Sequence, residues 1–237
     1  MALLGVIGGL GPMATAYFME LVTSMTDAAC DQEHLRMLVY SIPDTPDRTR
    51  FILGRSKESP LPSIVEAGQA LRSLGADVIA VPCITAHYFH REIEEGVGVR
   101  MLNAIGDCAD FLKANGVTNA GLMATEGTVH PGLFQRELER RGIALTVPDE
   151  EGQRAVTSLI YDDVKRGRQP DMASFGRVKD ALRQQGAEVV LLGCTELSVI
   201  KRDNDVGSGV LDVMEVLACS AITACGKRIA PQVRLLS

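Results

Sequence analysis

Residues 71–83, Leu-Arg-Ser-Leu-Gly-Ala-Asp-Val-Ile-Ala-Val-Pro-Cys, align without a gap against residues 182–194, Leu-Arg-Gln-Gln-Gly-Ala-Glu-Val-Val-Leu-Leu-Gly-Cys, at a constant offset of 111. About half of the positions are identical. Each copy reads as the end of a helix, a capping Gly (Gly75, Gly186), a buried strand and then a Cys (Cys83, Cys194). The shared rules of helix–strand packing explain the apolar positions. They do not explain a Cys at the same place after both strands. A fainter echo joins residues 5–11 to residues 121–127, where a strand again runs into a Gly-containing loop and a helix start. The repeat implies two pseudo-symmetric lobes, each presenting one thiol.

The rest of the chain agrees. Short apolar runs at 3–7, 37–40, 78–81, 120–123, 145–147 and 189–192 read as buried strands. Between them, amphipathic stretches at 14–28, 62–74, 105–114, 131–140, 151–166 and 172–184 read as helices. Continuous apolar strands separated by helices mean mostly parallel sheets covered on both faces, an α/β fold. The expected organisation is a first lobe of residues 1–100 plus 211–237 and a second lobe of residues 101–210, with the helix at 212–225 packing back onto the first. Ligands on such folds bind outside the carboxyl ends of the strands, so the active site belongs in the cleft between the lobes.

Several function classes fall away on composition. The chain has 237 residues, 46% hydrophobic, and a net charge of −6 with no basic run, which excludes nucleic acid as a partner. No apolar run reaches membrane-spanning length, and the N-terminus lacks the basic region of a signal peptide, so a soluble, cytoplasmic protein without a membrane partner is expected. The six cysteines lie at wide, irregular spacings without zinc-type pairs, which argues for free thiols and no metal. Cys30, Cys108, Cys219 and Cys225 fall inside expected helices and read as small buried hydrophobes.

Cys83 and Cys194 read differently. If the lobes face each other across a cleft, the two sulfurs approach a bound molecule from opposite sides. One thiolate can then take a proton from a carbon while the other thiol delivers one to the opposite face, which is what cofactor-independent inversion of a stereocentre needs. Both lie at strand-to-helix turns, where inward N–H groups are expected to lower a thiol pKa.

With those positions in view, the segments Gly8-Gly-Leu-Gly-Pro-Met-Ala-Thr15, Pro46-Asp-Arg-Thr49, Pro82-Cys-Ile-Thr-Ala-His87, Ala124-Thr-Glu-Gly-Thr128, Tyr161-Asp-Asp-Val-Lys165 and Gly193-Cys-Thr-Glu-Leu197 together resemble the aspartate/glutamate racemase family. The resemblance spans nearly the whole chain. It implies racemisation of an acidic amino acid without cofactor, with Cys83 and Cys194 as the acid/base pair, and a homodimer. It further implies a substrate-binding set of Gly9, Leu10, Arg48, Ile84, Thr85, Thr125, Lys165, Thr195 and Glu196. In that set Thr85 and Thr195 hold the α-carboxylate, and Arg48 and Lys165 the side-chain carboxylate. A dicarboxylate does need a fixed cation, and Arg offers a bidentate one. Glu196 could hold a proton or contact the substrate amine, and His87 could orient Cys83 or simply pack.

Two positions depart from the family pattern. After the first catalytic Cys the family usually carries Asn, and here stands Ile84, which can neither donate nor accept a hydrogen bond. Asp44 stands where an amide is frequent and would bring a negative charge to the substrate's distal end if it points inward. Both leave room for another substrate, a dicarboxylate cis–trans isomerase, or a small-molecule binding protein without turnover. The stretch Gly9-x-Gly11-x-x-Ala14 fits a relaxed dinucleotide fingerprint, but the strand at 37–40 ends without the acidic residue that would hold a ribose. Pyridoxal phosphate finds no supporting phosphate loop.

Overall fold

The computed structural model describes residues 2–236. Two parallel sheets carry the chain. The first has the order β2-β1-β3, with β1 at Leu4–Gly8, β2 at Met37–Ser41 and β3 at Val78–Ala80. The second has the order β5-β4-β6-β7, with β4 at Asn119–Met123, β5 at Ala144–Thr146, β6 at Val189–Leu192 and β7 at Val210–Asp212. The central β1 is buried throughout, as its unbroken apolar sequence requires, while the edge strand β2 is partly open. Gly75 and Gly186 take matching left-handed conformations (φ 94° and 97°), so both copies of the repeat turn from helix to strand in the same way.

The internal symmetry runs further than the sequence alignment. Met101 makes a parallel bridge to Ile79 at the edge of the first sheet, and Val210 pairs with Val190, the repeat equivalent of Ile79, in the second. Each of these edges leads into a helix, Ala104–Ala114 and Val213–Ala224, capped by the side chains of Asn103 and Asp212. The two helices pack on each other. The first also meets the helix Leu133–Glu139 of the second half, and the last packs on the helix Pro12–Ser24 and on β3. The strand β7 was not foreseen, and the lobe boundary placed at residue 211 cuts through it, because three residues after two glycines carry no readable period.

One apolar cluster runs through both halves, from Leu4 and Phe18 through Cys108 and Leu112 to Leu122, Leu191 and Leu217. Smaller clusters back the outer faces of the two sheets. The scaffold beneath the site is therefore continuous. Among the described residues no helix is long and apolar enough to cross a membrane.

Candidate active site

Cys83 follows β3 and opens a short 3-10 turn, Ile84–Phe89. Cys194 follows β6 and stands at the N-cap of the helix Thr195–Asp203. Both are buried and wall one narrow chamber, whose free core of about 10 Å³ holds roughly one water. Leu10, Arg48, Ile84, Thr85, Thr125, Lys165, Thr195 and Glu196 line the same chamber. Gly9 lies on the wall of an adjoining vestibule of about 350 Å³, which Leu10, Arg48, Lys165 and Glu196 separate from the thiols. All eleven residues expected from the sequence thus lie at the chamber or its mouth. Asp44 is exposed and lines neither space, so its charge is not directed inward.

At the second lobe the sulfur faces a carboxylate. The Cys194 thiol donates to Oε2 of Glu196 (3.0 Å), and Oε1 of Glu196 accepts from Nζ of Lys165 (2.6 Å). Burial first, then the charge of Glu196, pushes the Cys194 thiol well above its ordinary range. The lowering expected from a helix N-terminus fails here, because a buried anion two residues away outweighs the partial charge of the helix end. Burial opposes the charge of Lys165, but Glu196 overrides it and holds the ammonium ionised.

At the first lobe the sulfur faces a cation. The Arg48 guanidinium lies beside Cys83, and its own charge, opposed by burial, is reinforced by Cys83, Asp47 and Glu196. Its Nη2 donates to the Leu10 carbonyl (2.6 Å), and Nη1 donates to the carbonyls of Pro46 (3.1 Å) and Thr45 (3.3 Å). The buried Nε has no partner among the described residues. Arg48 therefore stitches the loop after β1 to the loop after β2 while placing positive charge in the chamber. A lysine could not make this fork.

Hydroxyls close the seam between the halves. Thr85 Oγ1 lies 2.9 Å from Thr125 Oγ1, and Thr128 Oγ1 lies 3.2 Å from each. Alongside, Gly127 packs so close to Thr49 that a Cβ would stand 2.8 Å from the Thr49 Cα. His87 is buried behind the first thiol with Nε2 3.3 Å from the Val81 carbonyl, and Nδ1 is unpartnered. Burial first, then His90, lowers its pKa to about 3, so the ring is neutral. It lines neither space and supports the Cys83 loop from behind.

Asp47, Thr49, Thr128 and Tyr161 stand inside the motif segments without an expected role of their own, and they complete the chamber or its supports. The Asp47 side chain caps the helix Arg48–Ile52 and accepts from the Tyr161 hydroxyl (3.4 Å). Burial, with Asp47 adding to it, pushes that phenol up to about 12. Tyr161 precedes Lys165 by one helical turn, and the ammonium sits 5.6 Å over its ring. That spacing was the available signal. The helix widens into a π turn at Leu159–Asp163, which brings both side chains to the site.

Comparison with known proteins fits this geometry. The sequence profile of the Asp/Glu/hydantoin racemase family matches residues 7–221. The aspartate racemase of Picrophilus torridus is 34% identical with a TM-score of 0.85, covering 99% of each chain. The broad-specificity amino-acid racemase RacX of Bacillus subtilis (strain 168) is 23% identical over 227 residues, 93% of this chain and 97% of that protein. The glutamate racemase of Francisella tularensis subsp. tularensis SCHU S4, solved with D-glutamate, shares the fold at 11% identity (TM-score 0.68, 94% of this chain and 80% of that one). With its two pseudo-symmetric parallel sheets meeting at a shared chamber, this chain belongs to the Asp/Glu/hydantoin racemase family and is an isomerase, a racemase.

Proposed function

We propose that the protein interconverts the L- and D-enantiomers of an acidic amino acid, aspartate or glutamate, without a cofactor, by proton transfer through Cys83 and Cys194. The observation that carries this reading is that both thiols wall one chamber under opposite charges, Cys83 beside Arg48 and Cys194 on Glu196. In one direction a Cys83 thiolate takes the Cα proton, and the C–H electron pair stays on the substrate as a carbanion delocalised into its carboxylate. The Cys194 thiol then protonates the opposite face, leaving a Cys83 thiol and a Cys194 thiolate. The reverse direction exchanges the roles. Thr85, Thr125 and Thr195 offer hydroxyls to the α-carboxylate, and Lys165 and Arg48 offer charge to the side-chain carboxylate as it enters from the vestibule.

A second reading, a neutral amino-acid substrate, is favoured by Ile84, which is 1% exposed and puts an apolar wall in the chamber. Apolar Met13, Pro43, Val164 and Val199 around the vestibule point the same way. Proton exchange in D₂O separates the two. Loss of the α-proton signal from both enantiomers of aspartate or glutamate supports the first reading, and loss only from neutral amino acids supports the second. Absence of exchange with every amino acid tried overturns both. The homodimer implied by the family is checked on the same sample by light scattering.

A further inference from the structure

Behind the Cys194 turn lies a buried polar contact that the reaction above does not use. Asp212 ends β7 and is 0% exposed. Its Oδ1 accepts from the Ser198 hydroxyl (2.7 Å) and the Met214 amide (2.8 Å), while Oδ2 is buried without a partner. Ser198 also closes the first turn of its helix, since its amide donates to the Cys194 carbonyl (3.3 Å). One turn further, Lys201 Nζ donates to both carboxylate oxygens of Glu215 (2.7 Å each). The helix Thr195–Asp203 is thus tied to the helix Val213–Ala224 by two polar contacts that advance three residues on each.

Among the described residues the first lobe carries no such tie. The repeat offset sets His87 opposite Ser198, and the matched edges of the two sheets set Asn103 opposite Asp212. His87 instead meets the Val81 carbonyl, and Asn103 accepts from the Gly106 amide. A buried carboxyl has taken the place of a neutral amide on one side only.

We propose that Asp212 is a positioning residue for the Cys194 side of the site, acting through Ser198 on the turn that carries Cys194, Thr195 and Glu196. This rests on the two-thiol reading above. The titratable groups facing Asp212 are Glu215 on its own helix, Lys201 on the tied helix, the Tyr17 phenol on the helix Pro12–Ser24 and the Cys108 thiol on the helix Ala104–Ala114. Burial first, then Glu215, pushes the Asp212 carboxyl up to about 7, against Ser198, Lys201 and the Met214 amide. Ionised, Asp212 is a strong acceptor that fixes the Ser198 hydroxyl. Protonated, it is a weaker one, and the turn loosens.

The test uses the full chain, wild type beside Asp212→Asn and Ser198→Ala. Iodoacetamide labelling of Cys194 is read by peptide mass spectrometry against Cys83 in the same molecule, between about pH 5.5 and 8.5. The wild-type labelling ratio is expected to carry a step of roughly threefold or more near pH 7, and both variants to lose it while Cys83 labels as before. Persistence of the step in Asp212→Asn, or its absence from wild type, overturns the proposal. A merely structural role would lower Tm without flattening the ratio. Should Asp212→Asn fail to fold, Ser198→Ala retains the Asp212 cap on Met214 and gives the same readout. Labelling needs no turnover. A step without α-proton exchange in wild type therefore overturns the racemase reading and not the Ser198–Asp212 tie.

Discussion

Cys83 and Cys194 leave equivalent strands of their sheets after equivalent glycine turns, yet the first sulfur lies against a guanidinium and the second against a carboxylate. Cys83 meets a cation, and the Cys194 thiol meets an acceptor. The duplication sets two thiols in one chamber, and residues outside the repeated segment decide the charge each sulfur sees. Arg48 comes from the loop after β2, and Lys165 from the end of a long helix. The repeated backbone therefore carries unequal electrostatics, a guanidinium at one sulfur and a carboxylate at the other.

The largest expected effect tests the shared geometry. Cys83→Ser and Cys194→Ser should each slow racemisation by about 10²–10⁴-fold, read by chiral chromatography. Wild-type turnover in either variant would break the comparison. Glu196→Gln tests the charge difference. It should cut racemisation roughly tenfold to hundredfold and lower the Cys194 thiol's titration, followed by thiolate absorbance, since Glu196 is the second cause of its upward shift. An unmoved titration would remove the carboxylate from the account.

Gly127→Ala probes the seam where the halves touch. Its Cβ would collide with Thr49, so a loss of about 1–3 kcal/mol in denaturant unfolding is expected. The smallest effect concerns the groups behind the thiols. His87 takes up no proton in the folded chain until about pH 3, whereas an unfolded His does so near its ordinary 6.5. Stability should therefore fall by about 1 kcal/mol between pH 6.5 and 5.5 from this group. Asp212 acts with the opposite sign, because the folded chain keeps its proton up to about 7 and the unfolded chain gives it up near 3.8. Across the same window His87→Asn should flatten the loss of stability on acidification, and Asp212→Asn should steepen it.

Much of this was legible before any coordinates. The repeat placed both thiols, unbroken apolar runs placed six of the seven strands, and the motif loops after them supplied the residues of the chamber. What escaped depends on distance along the chain or on backbone atoms. The Lys165–Glu196 pair joins residues 31 apart with no period to announce it. Arg48 spends its fork on carbonyls, which have no letter in a sequence. The sign of the Cys194 shift came out wrong because a helix N-terminus can be read from a pattern, whereas the depth of burial and the direction in which Glu196 points cannot.

The crossed packing of the helices Ala104–Ala114 and Val213–Ala224 has a mechanical consequence. Each half of the chain lends a helix to the other, so the halves cannot swing apart without tearing the apolar cluster they share. The loops around Pro43 and Val164 and the first turn of Pro12–Ser24 line the vestibule outside that shared cluster. A body joined this way leaves its rim as the part that can yield without disturbing the strands beneath either sulfur.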